Sequence, residues 1–212
     1  MEISSDTLTD LRALDLAVAS KWHPLAHRLK LSIWCAGIEK RFAASNNGLE
    51  LMPVWAQVSE ELLRSALSQR EIVSETMARS INARLRGENG LSSYRNYDAV
   101  SGDMVFTPAD SIGSQIAEVL SQVSNINHPL IAIAFFAQRL LSVHPFQDGN
   151  GRTTRLITDL LLQHAGYPPP QFLSPLDFLI ARPWDDAPGD SLEHSVLLIA
   201  GAVERGLSQA CP

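Results

Sequence analysis

The chain has 212 residues and a formal net charge of −6 at pH 7, long enough for one domain that buries a substantial core and too acidic to recommend a nucleic-acid partner. Its longest apolar runs, around 130–137 and 196–203, fall far short of a membrane span. The first residues, Met1 to Asp6, lack a basic segment followed by an apolar one, and Cys35 and Cys211 allow a single intrachain pair with no metal-ligand spacing. Together these features predict a cytoplasmic protein without nucleic-acid or membrane partners, although secretion by a route that uses no cleaved signal would leave the same record.

In chain order, apolar periodicity predicts helices near residues 8–20, 26–44, 54–86, 110–124, 129–144, 151–166, 174–182 and 190–208, with 54–86 broken along its length. Arg86-Gly87-Glu88-Asn89-Gly90 and the stretch from Pro183 to Gly189 are loops by composition. The β signal is confined to Tyr97-Asp98-Ala99-Val100 and Met104-Val105-Phe106 around Ser101-Gly102-Asp103, a short hairpin with a glycine turn. A lone two-stranded hairpin is marginal, so this one is expected to lie on the helical body.

The helix predicted at 129–144 is apolar around nearly its whole circumference, as a helix at the centre of a helical protein should be. Its last side chain is His144. Pro145 disfavours α conformation at the residue before it and cannot continue the ladder, so the chain turns there. A second helix follows, with Arg152, Arg155, Leu156, Leu160 and Gln163 at helical spacing until Gly166 and Pro168-Pro169-Pro170.

The turn between these helices concentrates chemistry. Gly149 and Gly151, one residue apart, allow positive φ and a nest of backbone N–H groups concave toward an oxyanion, and the helix that starts beside them adds its positive dipole end. Arg152 and Arg155 lie three apart on one helix face, a spacing suited to clamping two phosphates of a polyphosphate. Asp148 offers a hard carboxylate for a Mg²⁺ that keeps most of its waters and bridges phosphate oxygens. His144, with an ordinary pKa near about 6.5, can take a proton from a hydroxyl nucleophile at neutral pH.

Each feature alone has an ordinary reading: a turn histidine, an Asp-Gly-Asn-Gly turn, a solvated arginine face. Their coincidence within twelve residues, directly after a buried helix, favours a site. A calcium loop would place Asp148, Asn150 and Asp159 at ligand positions, but Arg152 would then sit at another and Thr153 at the required glycine. No Gly-Lys-Ser/Thr follows for a Walker A loop.

The run from His144 to Arg155 is similar to the signature of the Fic family (Fic/Doc superfamily), H-P-F-x-[D/E]-G-N-G-R-x-x-R, and matches it at every fixed position. Looser similarity covers roughly Tyr94 to Pro170: the Tyr94-Arg95-Asn96 lead into the hairpin, the Phe106-Thr107-Pro108 exit, the His128-Pro129-Leu130 helix start and the Gly166-Tyr167-Pro168 ending. The resemblance implies an all-α, Fic-type helical bundle with one small β-hairpin flap. Residues 1–212 would then form a single domain, with 1–90 a helical N-terminal part, 91–183 the core and 184–212 the C-terminal helix.

It further implies a protein adenylyltransferase, moving AMP from Mg·ATP to a Ser, Thr or Tyr hydroxyl of a target protein with pyrophosphate leaving. On that likeness His144 is the general base, Asp148 the Mg²⁺ ligand and Asn150 the holder of the α-phosphate. The backbone of Gln147 to Gly151, including Gly149, lines the anion hole. Arg152 contacts the β-phosphate region and Arg155 the γ-phosphate. The flap, Val100, Ser101, Gly102, Asp103, Met104, Val105 and Phe106, borders the site, and its edge can pair with an extended target segment.

Many Fic proteins carry an inhibitory S/T-x-x-x-E-G/N helix. Here Cys35-Ala36-Gly37-Ile38-Glu39-Lys40 and Arg84-Leu85-Arg86-Gly87-Glu88-Asn89 match it only in part, leaving Glu39 as a degenerate brake, a separate antitoxin-like partner as the restraint, or no restraint. Two further alternatives stay open. The same site can transfer UMP, GMP or phosphocholine or remove AMP from a modified protein, or the chain can be a non-catalytic peptide- or nucleotide-binding domain.

Overall fold

The computed structural model describes residues 3–23, 57–58, 61, 74–101, 104–173 and 190–211. Helix α1 spans Ser5–Lys21, with the Ser4 hydroxyl accepting from the Thr7 N–H at 3.2 Å as N-cap. Helix α2, Glu75–Leu85, begins at Ser74, whose backbone is extended and whose hydroxyl accepts from the Met77 N–H at 3.1 Å. That cap is a break of the kind expected within 54–86. The predicted helices at 26–44 and 174–182 lie outside the described residues.

Strands β1 (Val100–Ser101) and β2 (Met104–Val105) pair antiparallel, Val100 with Val105 and Ser101 with Met104. Ser101 therefore belongs to the ladder rather than the turn, and Tyr97 to Ala99 precede the strand instead of forming it. A 3₁₀ turn at Ala109–Ser111 leads into α3 (Ile112–Val123); α4 (Pro129–Val143), α5 (Asn150–His164) and α6 (Asp190–Ala210) follow.

Helix α4 is the axis of the molecule, packed against α3, α5 and α6. Pro129 stands at its first turn, where its missing N–H costs nothing. Leu130, Ala134, Phe136, Leu140 and Val143 are buried on successive faces, which explains a sequence apolar all round. Helix α5 is different in kind. Its Leu156, Ile157, Leu160 and Leu162 join the core, while Thr153, Thr154, Arg155, Thr158 and Asp159 are buried too. The hydroxyls of Thr154 and Thr158 donate to the carbonyls of Asn150 and Thr154, each at 2.9 Å, so they enter the interior without orphaned donors. Polar burial is thereby concentrated at the N-terminal half of α5.

Beyond α5 the chain turns at Gly166 (φ +94) and runs along α6, where the Gln171 N–H donates to Ala202 O at 2.8 Å. Gly206 allows this approach: a Cβ there would stand 2.4 Å from Pro169 O. The segment so anchored lies against α6, the helix that packs on α4.

Candidate active site

Helix α4 ends at His144, whose N–H donates to Leu140 O at 3.1 Å and whose backbone lies in the left-handed region (φ 50, ψ 56). It is the one non-glycine at positive φ among the described residues. A left-handed cap fits a helix C-terminus, but glycine ordinarily takes it, and a side chain there costs on the order of 1–3 kcal/mol. Phe106, buried just past β2, stacks on the imidazole with ring centroids 4.0 Å apart and planes 24° from parallel. Phe106 is also tied to the hairpin, its N–H donating to Ala99 O at 3.1 Å beside the Val100–Val105 pair.

The loop from Pro145 to Gly149 is pinned at three points. Phe146 is a buried plug, its ring 6.0 Å from that of Tyr94. Asn150 bonds Phe146 reciprocally: its amide donates to Phe146 O at 2.8 Å, and its side-chain oxygen accepts the Phe146 N–H at 2.9 Å. The third pin comes from α2. Buried Asn82 donates to Asp148 O at 2.9 Å and to the Thr153 hydroxyl at 3.0 Å.

These pins leave the start of α5 open. Gly149, the N-cap, sits at φ +79 and ψ 6 with no side-chain capping bond. The N–H groups of Asn150, Gly151 and Arg152 occupy the first helical positions, which have no acceptor within the helix. A dipole equivalent to roughly +0.5 charge stands at this end. Both arginines reach back toward it, as helical side chains do. The Arg152 guanidinium comes within 3.8 Å of where a Cβ on Gly149 would lie, and that of Arg155 within 3.2 Å of where one on Gly151 would lie. The glycines thus give two guanidinium groups room beside the loop. Arg155 is 7% exposed, whereas Arg152 is partly open.

Asp148 is exposed. One carboxylate oxygen accepts the Gly149 N–H at 2.6 Å and the other meets the Arg152 guanidinium at 3.0 Å. No group of three or more His, Cys, Asp or Glu side chains able to hold a metal occurs among the described residues. A single accessible carboxylate beside an open anion loop fits a hydrated Mg²⁺ shared with phosphates, and does not fit an all-protein cage.

The structure therefore brings His144, Asp148, Gly149, Asn150, Gly151, Arg152 and Arg155 together, with Gln147 exposed at the rim. The Asn150 side chain, expected on the α-phosphate, bonds Phe146 through its oxygen and one of its two amide N–H groups, which pairs a buried loop carbonyl and N–H. Glu39, Gly102 and Asp103 lie outside the described residues, and of Met104 only the backbone is described.

Two further residues shape the site, Asn82, for which the sequence raises no expectation, and Arg95, which the sequence places only in the lead into the hairpin. Arg95 is 4% exposed. Its guanidinium donates to His144 O at 2.8 Å, Tyr97 O at 2.6 Å, Val143 O at 3.2 Å and Thr107 O, while its own N–H donates to Pro145 O at 2.9 Å. Burial pulls its pKa below the ordinary arginine value. A buried asparagine on the apolar face of α2, among Ala78, Ile81 and Leu85, was the one pattern that could have revealed Asn82.

A helical body with an anion loop set between two buried helices, a histidine ending the first and two arginines opening the second, defines the class. Residues 59–162 match the model of the Fic/DOC family. The chain is 51% identical over 49 residues, 23% of this chain and 10% of the relative, to the protein adenylyltransferase Fic of Drosophila mojavensis. It is 27% identical over 139 residues, 62% of this chain and 3% of the relative, to the protein adenylyltransferase and cysteine protease IbpA of Histophilus somni. The chain thus spans a tenth or less of the length of these curated relatives. Its fold is similar to that of IbpAFic2 in complex with adenylylated Cdc42, with a TM-score of 0.69, 21% identity, and coverage of 97% of this chain and 72% of that one. No helix among the described residues is long and apolar enough to cross a membrane.

Proposed function

We propose that the chain is a protein adenylyltransferase that moves AMP from ATP to a Ser, Thr or Tyr hydroxyl of another protein. The observation that carries this reading is the open N-terminus of α5, with the Arg152 and Arg155 side chains drawn back over Gly149 and Gly151, one short loop away from His144. Two guanidinium groups and successive N–H donors suit a chain of phosphates rather than a single anion.

In this mechanism His144 takes the proton of the target hydroxyl as its oxygen attacks the α-phosphorus. The new O–P bond forms while the bond from that phosphorus to the bridging oxygen breaks, and pyrophosphate leaves. Arg152 and Arg155 neutralise charge that builds on the leaving group, and the N–H groups of the loop hold the non-bridging oxygens, so positioning and electrostatics supply the rate. Asp148 would hold a Mg²⁺, which supplies further neutralisation of phosphate charge when bound. The target would lie along the hairpin, where Val100 and Val105 expose 67% and 77% of their surface, pairing with its edge.

Incubating the protein and a lysate with labelled ATP, UTP, GTP or CDP-choline, in wild-type and His144→Ala forms, tests the reading. Label from ATP transferred to protein by wild type alone supports it. Transfer only from another donor replaces AMP by that group, and binding without transfer turns the chain into a nucleotide-binding domain.

A further inference from the structure

A buried side chain, Arg95, ties the end of α4 to the hairpin. Arg95 binds three successive carbonyls at the end of α4, those of Val143 and His144 through its guanidinium and that of Pro145 through its own N–H. The same guanidinium binds Tyr97 O before β1 and Thr107 O after β2, the two feet of the hairpin. Adjacent to Thr107, Phe106 lies flat on the His144 ring. His144 is also the residue whose backbone departs from ordinary geometry, and such a conformation persists only where its surroundings over-determine it.

We infer that Arg95 is a positioning residue which, with Phe106, fixes the orientation of the His144 imidazole and ties it to the position of the hairpin. The inference rests on the reading of His144 as general base. A planar guanidinium presents five donors in a rigid fork, which is what contact with four differently placed carbonyls requires; a lysine ammonium presents three donors from one point. If the hairpin shifts, the strain reaches the imidazole by two routes, through the stacked ring and through the carbonyl of its own residue. A target segment held on the hairpin is then referred to the same anchor as the base that must reach its hydroxyl. Near-attack geometry of this kind is lost with displacements of about 1 Å, at a rate cost of about 10²-fold.

The test uses Arg95→Lys, Arg95→Met and Phe106→Leu in the full chain, reading the His144 ring resonances by NMR (assigned with His144→Ala) beside kcat and the KM for ATP. Arg95→Met and Phe106→Leu are expected to move the His144 resonances and lower kcat about 10- to 100-fold while KM for ATP stays within about twofold, and Arg95→Lys to recover part of the loss. Unchanged His144 resonances in both Arg95→Met and Phe106→Leu overturn the inference, as does a fall in kcat matched by an equal rise in KM. Should Arg95→Met not fold, Phe106→Leu, which keeps an apolar buried side chain, decides alone: altered resonances with lowered kcat support the coupling, and wild-type values of both refute it. A wild type that transfers no group from any nucleotide defeats the proposed function, yet the resonances still report whether the anchor holds the ring.

Discussion

Helix α4 is bounded at both ends by the same dipeptide, His128-Pro129 and His144-Pro145, and the two are held in opposite ways. At the N-terminal end His128 adopts φ −86 and ψ 118, the extended conformation a following proline favours. Its ring meets the Asp15 carboxylate at 3.2 Å, at a partly exposed position where Asp15 also accepts from the Tyr167 hydroxyl at 2.7 Å. At the C-terminal end His144 occupies the left-handed region despite Pro145, and it is stacked by Phe106 and gripped through its carbonyl by Arg95. The first end obeys local preference; the second is forced by tertiary contacts. Departure from the local rule marks the end that the proposed chemistry uses.

The largest expected difference between the ends is in activity. We predict that His144→Ala lowers single-turnover transfer by about 10²–10⁴-fold, whereas His128→Ala leaves the rate within about twofold and slightly lowers the melting temperature. Equal losses in the two variants would erase the distinction.

Next comes the bracing of the loop. Asn82→Ala removes the bonds to Asp148 O and to the Thr153 hydroxyl, both at a buried seam, and should cost about 1–3 kcal/mol in denaturant unfolding together with weaker nucleotide binding. Wild-type values for both would mean that the loop holds its shape without α2.

Backbone strain gives a smaller and more discriminating contrast. Gly149→Ala places a Cβ at φ +79 and 3.0 Å from the Asn82 amide, so a loss of about 1–2 kcal/mol is predicted. Conversely, His144→Gly should be more stable than His144→Ala by about 1 kcal/mol, since glycine suits the left-handed cap. The same pair of variants at His128 should show no such gain, and calorimetry on all four settles the point.

The smallest effect is electrostatic. Tyr94 and Tyr167 are both held above the ordinary tyrosine value, chiefly by burial and then by Glu75 and Asp15 respectively. A raised hydroxyl keeps its proton in the folded chain after the unfolded chain has lost it. Stability should therefore be intact below about pH 10 and fall as pH rises above it. Asp15→Asn should bring the Tyr167 titration closer to its ordinary value and cost less than about 1 kcal/mol, because its partner His128 is only partly shielded. Ultraviolet titration of the tyrosines, combined with unfolding at neutral pH, checks both statements.

What the sequence made legible follows from the range over which each interaction acts. The buried α4, the start of α5 and the presence of a hairpin near residues 100–105 rest on patterns of a few residues, and all three were readable, whereas the hairpin's register was not. Of the two glycines, positive φ is found at Gly149 alone; Gly151 is instead in the first turn of α5, where the space beside it takes the Arg155 guanidinium. Asn82 and Arg95 act across 66 and 49 residues of chain, where no spacing rule operates. Asn150 illustrates a different obstacle. Its position was plain, but its bonds to Phe146 depend on which loop groups the folded chain buries, and no local pattern gives that. His144 was correctly expected to end its helix, while its left-handed backbone was not, since that conformation is imposed by partners remote in sequence.

The brevity of the hairpin has a consequence for selectivity. Each strand is two residues long, so a target segment pairing with the edge as proposed would find room for no more than a couple of main-chain hydrogen bonds. Such a contact transmits very little sequence information and lets go easily. On the proposed function, discrimination among substrates would then reside in the broader shape of the target, which brings one hydroxyl within reach and keeps others away, and a modified chain would leave without breaking an extended ladder.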